Sequence, residues 1–166
     1  MDEIIACLQE QQVSPALLQD IENFRKQYPV AQEAKARLTR PQLPFLGKET
    51  FEMAASALLQ GENILLTGAK AAGKNILAEN LAWLFGRPLY NISFHVNTDS
   101  STLIGTDTFR DNEVQMRTGP VYDSAVQGGF AVLDEINMAR NDAVSVLHAV
   151  LDFRRIVEVP GYDRIR

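Results

Sequence analysis

Residues 64–75 read ILLTGAKAAGKN and residues 130–135 read FAVLDE. The first stretch has the pattern of a buried strand (Ile64–Thr67), a glycine loop, and a lysine that opens a helix. The second has the pattern of another buried strand, ending in two adjacent carboxylates. In that order they describe a device that holds a nucleoside triphosphate, its metal and an attacking water.

A triphosphate needs many hydrogen-bond donors at close range, more than bulky side chains can supply. Backbone N–H groups of a tight turn supply them, and the positive end of a following helix adds to the attraction. Gly68 leaves the strand, and Gly73 lets the backbone come close to the phosphates. Lys74 reaches toward the β- and γ-phosphates. Ile76, Leu77, Leu81 and Leu84 then recur at helical spacing. Asn75 departs from the usual pattern, in which Ser or Thr follows the lysine and ligates magnesium. An amide oxygen is also a hard donor, but its rotamer must aim the oxygen at the metal. Nucleotide binding is expected to survive this change better than hydrolysis.

Asp134 and Glu135 follow Ala131, Val132 and Leu133, at the C-terminal end of an apolar strand, where open α/β sheets place their ligands. Carboxylates there need a partner, because an unpaired buried charge is costly. Asp134 is expected to hold the magnesium shell and Glu135 to polarise water. A structural ion pair with a Lys or Arg is the alternative.

The chain has 166 residues, 46% hydrophobic and 22% charged, with a net charge of −5. That is enough for one domain, or one domain plus an arm, and the acidic balance argues against broad nucleic-acid binding. The single cysteine, Cys7, excludes an internal disulfide and a cysteine metal cluster. No apolar run has membrane-spanning length and no signal peptide is visible, so a cytoplasmic location is expected.

Residues 1–44 are expected to form a helical N-terminal arm and linker. Ser14-Pro15 starts a helix whose stripe is Leu17, Leu18, Ile21, Phe24 and Tyr28, ended by Pro29. A weaker helix covers Ala31–Leu38, and Phe45-Leu46-Gly47 reads as a docking turn. From Lys48 onward helices and strands alternate. The expected elements are a helix to Gln60, a helix from the glycine loop to Gly86, and a strand at Leu89–Phe94. A Ser/Thr/Asp-rich stretch covers Asn97–Asp107, and Val114–Arg117 reads as one hairpin arm. A helix between Gly119-Pro120 and Gly128-Gly129 and a strand at Phe130–Asp134 follow. Asn141-Asp142 is expected to cap a helix through about Asp152. The chain ends in a hairpin from Ile156–Val159, a Pro-Gly-Tyr-Asp turn and Arg164–Arg166. The pattern predicts an α/β fold, a parallel sheet with helices on both faces.

GAKAAGK, LIGTDTF at Leu103–Phe109, GPVYDSAVQGGFAVLDEINMAR, LDFRR and VPGYDRIR together resemble the MoxR-type and dynein-related AAA+ ATPases. The resemblance covers about Phe45 to Arg166. Its most specific part is Asp134-Glu135-Ile136-Asn137-Met138-Ala139. It implies a P-loop NTPase core over residues 45–166, a three-layer αβα parallel sheet of AAA+ type. Gly68, Ala69, Lys70, Ala71, Ala72, Gly73, Lys74, Asn75 and Ile76 would bind ATP. Asn75 and Asp134 would hold Mg2+, and Glu135 would act as the catalytic base. His95 or Asn97 would restrain Glu135, although an ordinary polar strand end is the simpler reading of His95. His148 reads as packing, and Arg154 and Arg155 as a subunit contact or a solvated helix end. Asn97–Arg117 falls where the family carries an insertion in its second helix, and Arg140 and Thr106–Glu113 would contact a subunit or client.

The resemblance further implies a homo-oligomeric ring and a protein client, often one with a von Willebrand A-type domain; from charge and hydropathy, no nucleic-acid or membrane partner is expected. It implies a sheet order of 5-1-4-3-2, and a sensor strand, arginine finger and helical lid that are not found in this sequence. The chain therefore reads as the N-terminal portion of a longer protein, inactive by itself. A nucleotide-sensing module without catalysis is the second reading, kept open by Asn75. A small-molecule kinase has less need of Glu135, and a GTPase lacks its N-K-x-D motif here.

Overall fold

The structure, a computed structural model, describes residues 3–110 and 113–159. Contacts divide the chain into two compact units, Met1–Pro88 and Leu89–Arg166; the expected 1–44 arm lies within the first.

The first unit is helical: α1 (Glu3–Glu10), α2 (Pro15–Gln27), a 3-10 segment (Gln32–Arg37), α3 (Lys48–Leu59) and α4 (Lys74–Phe85). Ser14 caps α2, its Oγ accepting the Leu17 N–H, and Pro15 occupies the first turn, where a missing N–H costs nothing. Leu17 and Ile21 of the expected stripe are buried, and α2 packs against both α3 and α4. Phe51, Ala54 and Ala55 of α3 and Leu77, Leu81 and Leu84 of α4 complete this core. Gly86, at φ 64°, ends α4 in the left-handed conformation that glycine adopts without a side-chain clash.

The second unit holds β1 (Leu89–Ser93), α5 (Ser100–Ile104), β2 (Gly105–Arg110), β3 (Glu113–Thr118), α6 (Pro120–Val126), β4 (Phe130–Asp134), a 3-10 turn (Ile136–Met138), α7 (Asn141–Ser145) and α8 (His148–Leu151). β1 and β4 pair in parallel, from Leu89↔Phe130 to Ser93↔Asp134, and α6 packs on both. β2 and β3 form an antiparallel hairpin. The core joins Ile92 and Phe94 to Leu103, Ile104, Val121, Ala143, Leu147, Val157 and Val159.

Three expectations are corrected. Ile64–Thr67 forms no strand: the backbone makes no ladder there, and Leu65 is 80% exposed. Apolar, β-branched composition does not make a strand without a neighbour. In the order implied by the resemblance, the neighbours of this strand are the fourth and fifth, not β1 or β4. The helix expected over 141–152 is interrupted. Arg140 rather than Asn141 is its N-cap, with no side-chain cap bond. At the break the backbone tightens to three-residue spacing, Leu147 N–H donating to Val144 O and Val150 N–H to Leu147 O. His148, expected to pack, is exposed at the start of α8. The Pro160–Asp163 turn and Arg164–Arg166 lie outside the described residues.

Candidate functional site

The glycine loop delivers the chain into α4 through three backbone exceptions. Gly68 has φ 155°, Ala71 φ 61° and Gly73 φ 81°. The positive angles turn the chain sharply enough for Lys74 to be the first residue of α4. Ala71 is the strained member, because a Cβ in the left-handed region meets the backbone. Within the loop, the Ala72 N–H donates to Ala69 O at 3.3 Å. Lys74 Nζ donates to Gly68 O at 3.2 Å and Ala69 O at 2.9 Å. The ammonium is thus folded over the loop it would serve, held by carbonyls that an anion can outbid. Asn75 is exposed and Ile76 half-buried.

The Phe45 turn backs this loop. A Cβ placed on Gly73 would meet the Phe45 ring at 3.6 Å, so the ring lies against the residue that caps α4. Asn80, wholly buried, grips the same turn. Its Nδ2 donates to Leu43 O at 2.9 Å and to Ile76 O at 2.8 Å, and its Oδ1 accepts the Phe45 N–H at 3.2 Å. The docking role expected of Phe45-Leu46-Gly47 is realised. The residue that anchors it, Asn80, reads in sequence as an ordinary helical polar residue.

In the second unit, Asp134 ends β4 and Glu135 follows at φ 54°, ψ 36°. Asp134 Oδ1 accepts the Glu135 N–H at 3.0 Å, and Glu135 O accepts the Met138 N–H at 2.8 Å. The left-handed turn takes Glu135 out of the strand direction and leaves it exposed. Asp134 is half-buried, and Ala131 on the same strand is exposed, so β4 is less deeply buried than its sequence predicts. Phe94 N–H extends the β1–β4 ladder by donating to Asp134 O at 2.9 Å. His95 and Glu135 therefore leave the sheet at the same end. His95 Nδ1 accepts the Asn97 N–H at 3.2 Å, and Thr98 Oγ1 accepts the His95 N–H at 3.0 Å. Among the bonds of the described residues, the imidazole is engaged by its own turn rather than by Glu135.

Of the arginines expected at contacts, Arg154 Nη2 pairs with Asp152 Oδ2 at 2.7 Å and Arg140 Nε with Asp142 at 3.4 Å. The Arg154 hydrogen bonds hold the Asp152 carboxyl below its ordinary range. Asp99, the N-cap of α5, is pulled down further, to about 2, by bonds from the Thr102 hydroxyl, the Thr102 N–H and the Ser101 hydroxyl.

Each unit by itself offers an oxygen of the kind a phosphate-bound divalent cation takes. Asn75 of the first has an amide oxygen, and Asp134 of the second keeps Oδ2 free of the Glu135 N–H. Among the described residues, no three of His, Cys, Asp and Glu gather as a cation site. Magnesium held by either residue would therefore take its other ligands largely from phosphate and water, its usual habit.

Residues 63–166 match the AAA domain of the dynein-related subfamily. The chain is 34% identical over 108 residues to the uncharacterized protein YojN of Bacillus subtilis, an overlap covering 63% of this chain and 36% of that protein. It is 36% identical over 115 residues to the uncharacterized protein SSP1341 of Staphylococcus saprophyticus, covering 66% and 44%. The chain thus spans less than half the length of these curated relatives. No helix among the described residues is long and apolar enough to cross a membrane. A glycine loop opening a helix and a strand ending in Asp-Glu are the parts of a nucleotide-binding P-loop domain, and the chain belongs to the dynein-related subfamily of AAA domains.

Proposed function

We propose that this chain is the nucleotide-binding portion of an AAA+ ATPase of MoxR type, with residues 1–44 as its arm and 45–166 as the first part of its core. The observation that carries the reading is Gly73 in the left-handed conformation with Lys74 as the first residue of α4. This geometry sets the N-terminus of a twelve-residue helix, and the lysine that begins it, directly behind the glycine loop. Gly68, Ala69, Lys70, Ala71, Ala72, Gly73, Asn75 and Ile76 bind ATP with Lys74, whose Nζ exchanges the Gly68 and Ala69 carbonyls for phosphate oxygens. Asn75 and Asp134 hold Mg2+, which when bound neutralises charge on the phosphates. Glu135 takes a proton from water as the water oxygen bonds to the γ-phosphorus. The bridging P–O bond breaks, its electron pair leaving with ADP.

The family reading extends to a homo-oligomeric cytoplasmic ring. It remodels a protein client, one with a von Willebrand A-type domain in the form expected from the resemblance, and needs no nucleic acid or membrane. The partial coverage of the relatives supports placing the chain within a longer protein whose further strands flank Ile64–Thr67. A nucleotide-sensing module is the second reading, favoured by Asn75 standing where a hydroxyl ligand is usual.

Magnesium-dependent ATP binding, wild type against Lys74→Ala, tests the proposal by calorimetry. Binding lost in the variant supports it, and equal binding by both excludes the loop as the site.

A further inference from the structure

Gln11, just past α1, makes a contact that phosphate binding does not itself require. Its Oε1 accepts the Gly47 N–H at 2.8 Å and its Nε2 donates to Phe45 O at 3.0 Å. The carboxamide reads the peptide groups on either side of Leu46 as one strand reads another. Asn80 of α4 grips the preceding peptides, Leu43 O and Phe45 N–H. Two side-chain amides, one from each side in sequence, therefore fix the turn that lays Phe45 against Gly73.

At the far end of α4 the same arm touches again. Phe24 meets Phe85 edge-on at 5.2 Å, Arg87 donates to Tyr28 O at 2.8 Å, and its guanidinium lies 5.1 Å from the Phe24 ring. The phosphate-loop helix is thus held by the arm at both ends. The loop's own bonds are those of Lys74 Nζ to Gly68 O and Ala69 O and of the Ala72 N–H to Ala69 O. Gly68 through Ala72 are exposed, and ordering a backbone residue costs about 1–2 kcal/mol.

We propose that Gln11 is a positioning residue for the nucleotide site: by fixing Phe45 against Gly73 it pre-forms the phosphate loop, so the N-terminal arm sets nucleotide affinity. The inference rests on the nucleotide-binding reading above. Pre-forming a loop raises affinity because less order is lost on binding.

The test uses the whole chain, a fluorescent ADP analogue with magnesium, and three variants. Gln11→Met keeps length and loses both bonds. Gln11→Glu keeps the acceptor for the Gly47 N–H and loses the donor to Phe45 O. Glu52→Ala releases a different arm contact, in which Glu52 Oε1 accepts the Ser14 N–H at 2.7 Å. Gln11→Met is expected to weaken binding roughly tenfold and Gln11→Glu roughly threefold, as one or two net hydrogen bonds allow. Glu52→Ala leaves affinity unchanged while lowering the melting temperature.

Amide exchange across 68–75 without nucleotide is the second readout, expected to quicken in Gln11→Met and not in Glu52→Ala. Unchanged exchange and affinity in Gln11→Met overturn the inference, as does equal weakening by Gln11→Met and Glu52→Ala. A wild type that binds no nucleotide, with exchange still quickened by Gln11→Met, overturns the nucleotide reading and with it the claim on affinity, and leaves only the ordering of the loop by Gln11 standing.

Discussion

Asn80 Oδ1 accepts the Phe45 N–H at 3.2 Å across 35 residues of sequence, tying the turn after the linker to the helix that follows the glycine loop. The same carboxamide, 0% exposed, also satisfies Leu43 O. Asn80→Leu matches the volume and removes these bonds, stranding polar backbone groups of the turn. A loss of about 2 kcal/mol is expected, read as a lowered urea midpoint. An unchanged midpoint would show that water replaces the carboxamide freely.

Glu135 separates stability from chemistry. At φ 54° a side chain costs roughly 1–2 kcal/mol, while glycine there costs only its extra unfolded-state entropy. Glu135→Gly is therefore expected to raise the melting temperature slightly. Glu135→Gln leaves the melting temperature unchanged. Under the proposed mechanism it retains ATP but slows phosphate release about 100-fold or more in the longer protein. A nucleotide sensor would show no such change in phosphate release.

Gly119 is a close-approach position. A Cβ there would press on the backbone of Leu103 and on Thr102 O, at 2.7 Å from the latter, and main chain cannot step aside as a side-chain tip can. Gly119→Ala is expected to cost about 3 kcal/mol, at the upper end of overpacking penalties, seen in thermal denaturation. Gly61, with nothing within 4 Å of an added Cβ, supplies the contrast. Its φ of 77° leaves Gly61→Ala with backbone strain alone, roughly 1 kcal/mol.

Asp99 gives the α5 cap an acid limit. Its folded pKa, about 2, lies below the ordinary 3.8 because the Thr102 and Ser101 bonds favour the carboxylate. The contribution is complete above the unfolded pKa and fades as pH falls from about 4 toward 2. Wild type and Asp99→Asn are expected to differ in stability at pH 6, with most of the difference gone by pH 2 as pH falls through the folded pKa. A constant difference across that range would place the cap's contribution in something other than ionisation.

What sequence could show was local. The bounds of α4 follow from Gly73 and Gly86, and β4 from the Gly128-Gly129 break before it and the carboxylates that end it. Val114–Arg117 was legible as a hairpin arm. Its mate, Gly105–Arg110, was hidden because GTDTFR carries no apolar alternation. The pause between α7 and α8 has no Gly or Pro to announce it. Ile64–Thr67 shows the opposite error, since strand-like composition says nothing about whether a ladder partner lies alongside. The Gln11 clamp was beyond reach for the same reason: its partners lie 34 and 36 residues away, and no local pattern marks the pairing. Gly68, Gly73, Lys74, Asp134 and Glu135 stand out in the sequence because the chemistry proposed for them demands fixed neighbours.

The unpaired Ile64–Thr67 segment has a thermodynamic meaning. It delivers the phosphate loop, yet no ladder fixes its direction, so a nucleotide that needs the loop aimed must also bear the entropy of aiming it. Any strand that docks alongside removes that charge in advance. Under the proposed function the two events are then linked in both directions: the docking strand tightens nucleotide binding, and bound nucleotide tightens the grip on the docking strand by the same factor. Under that reading, a segment without a ladder becomes a means by which assembly state and nucleotide state report on each other.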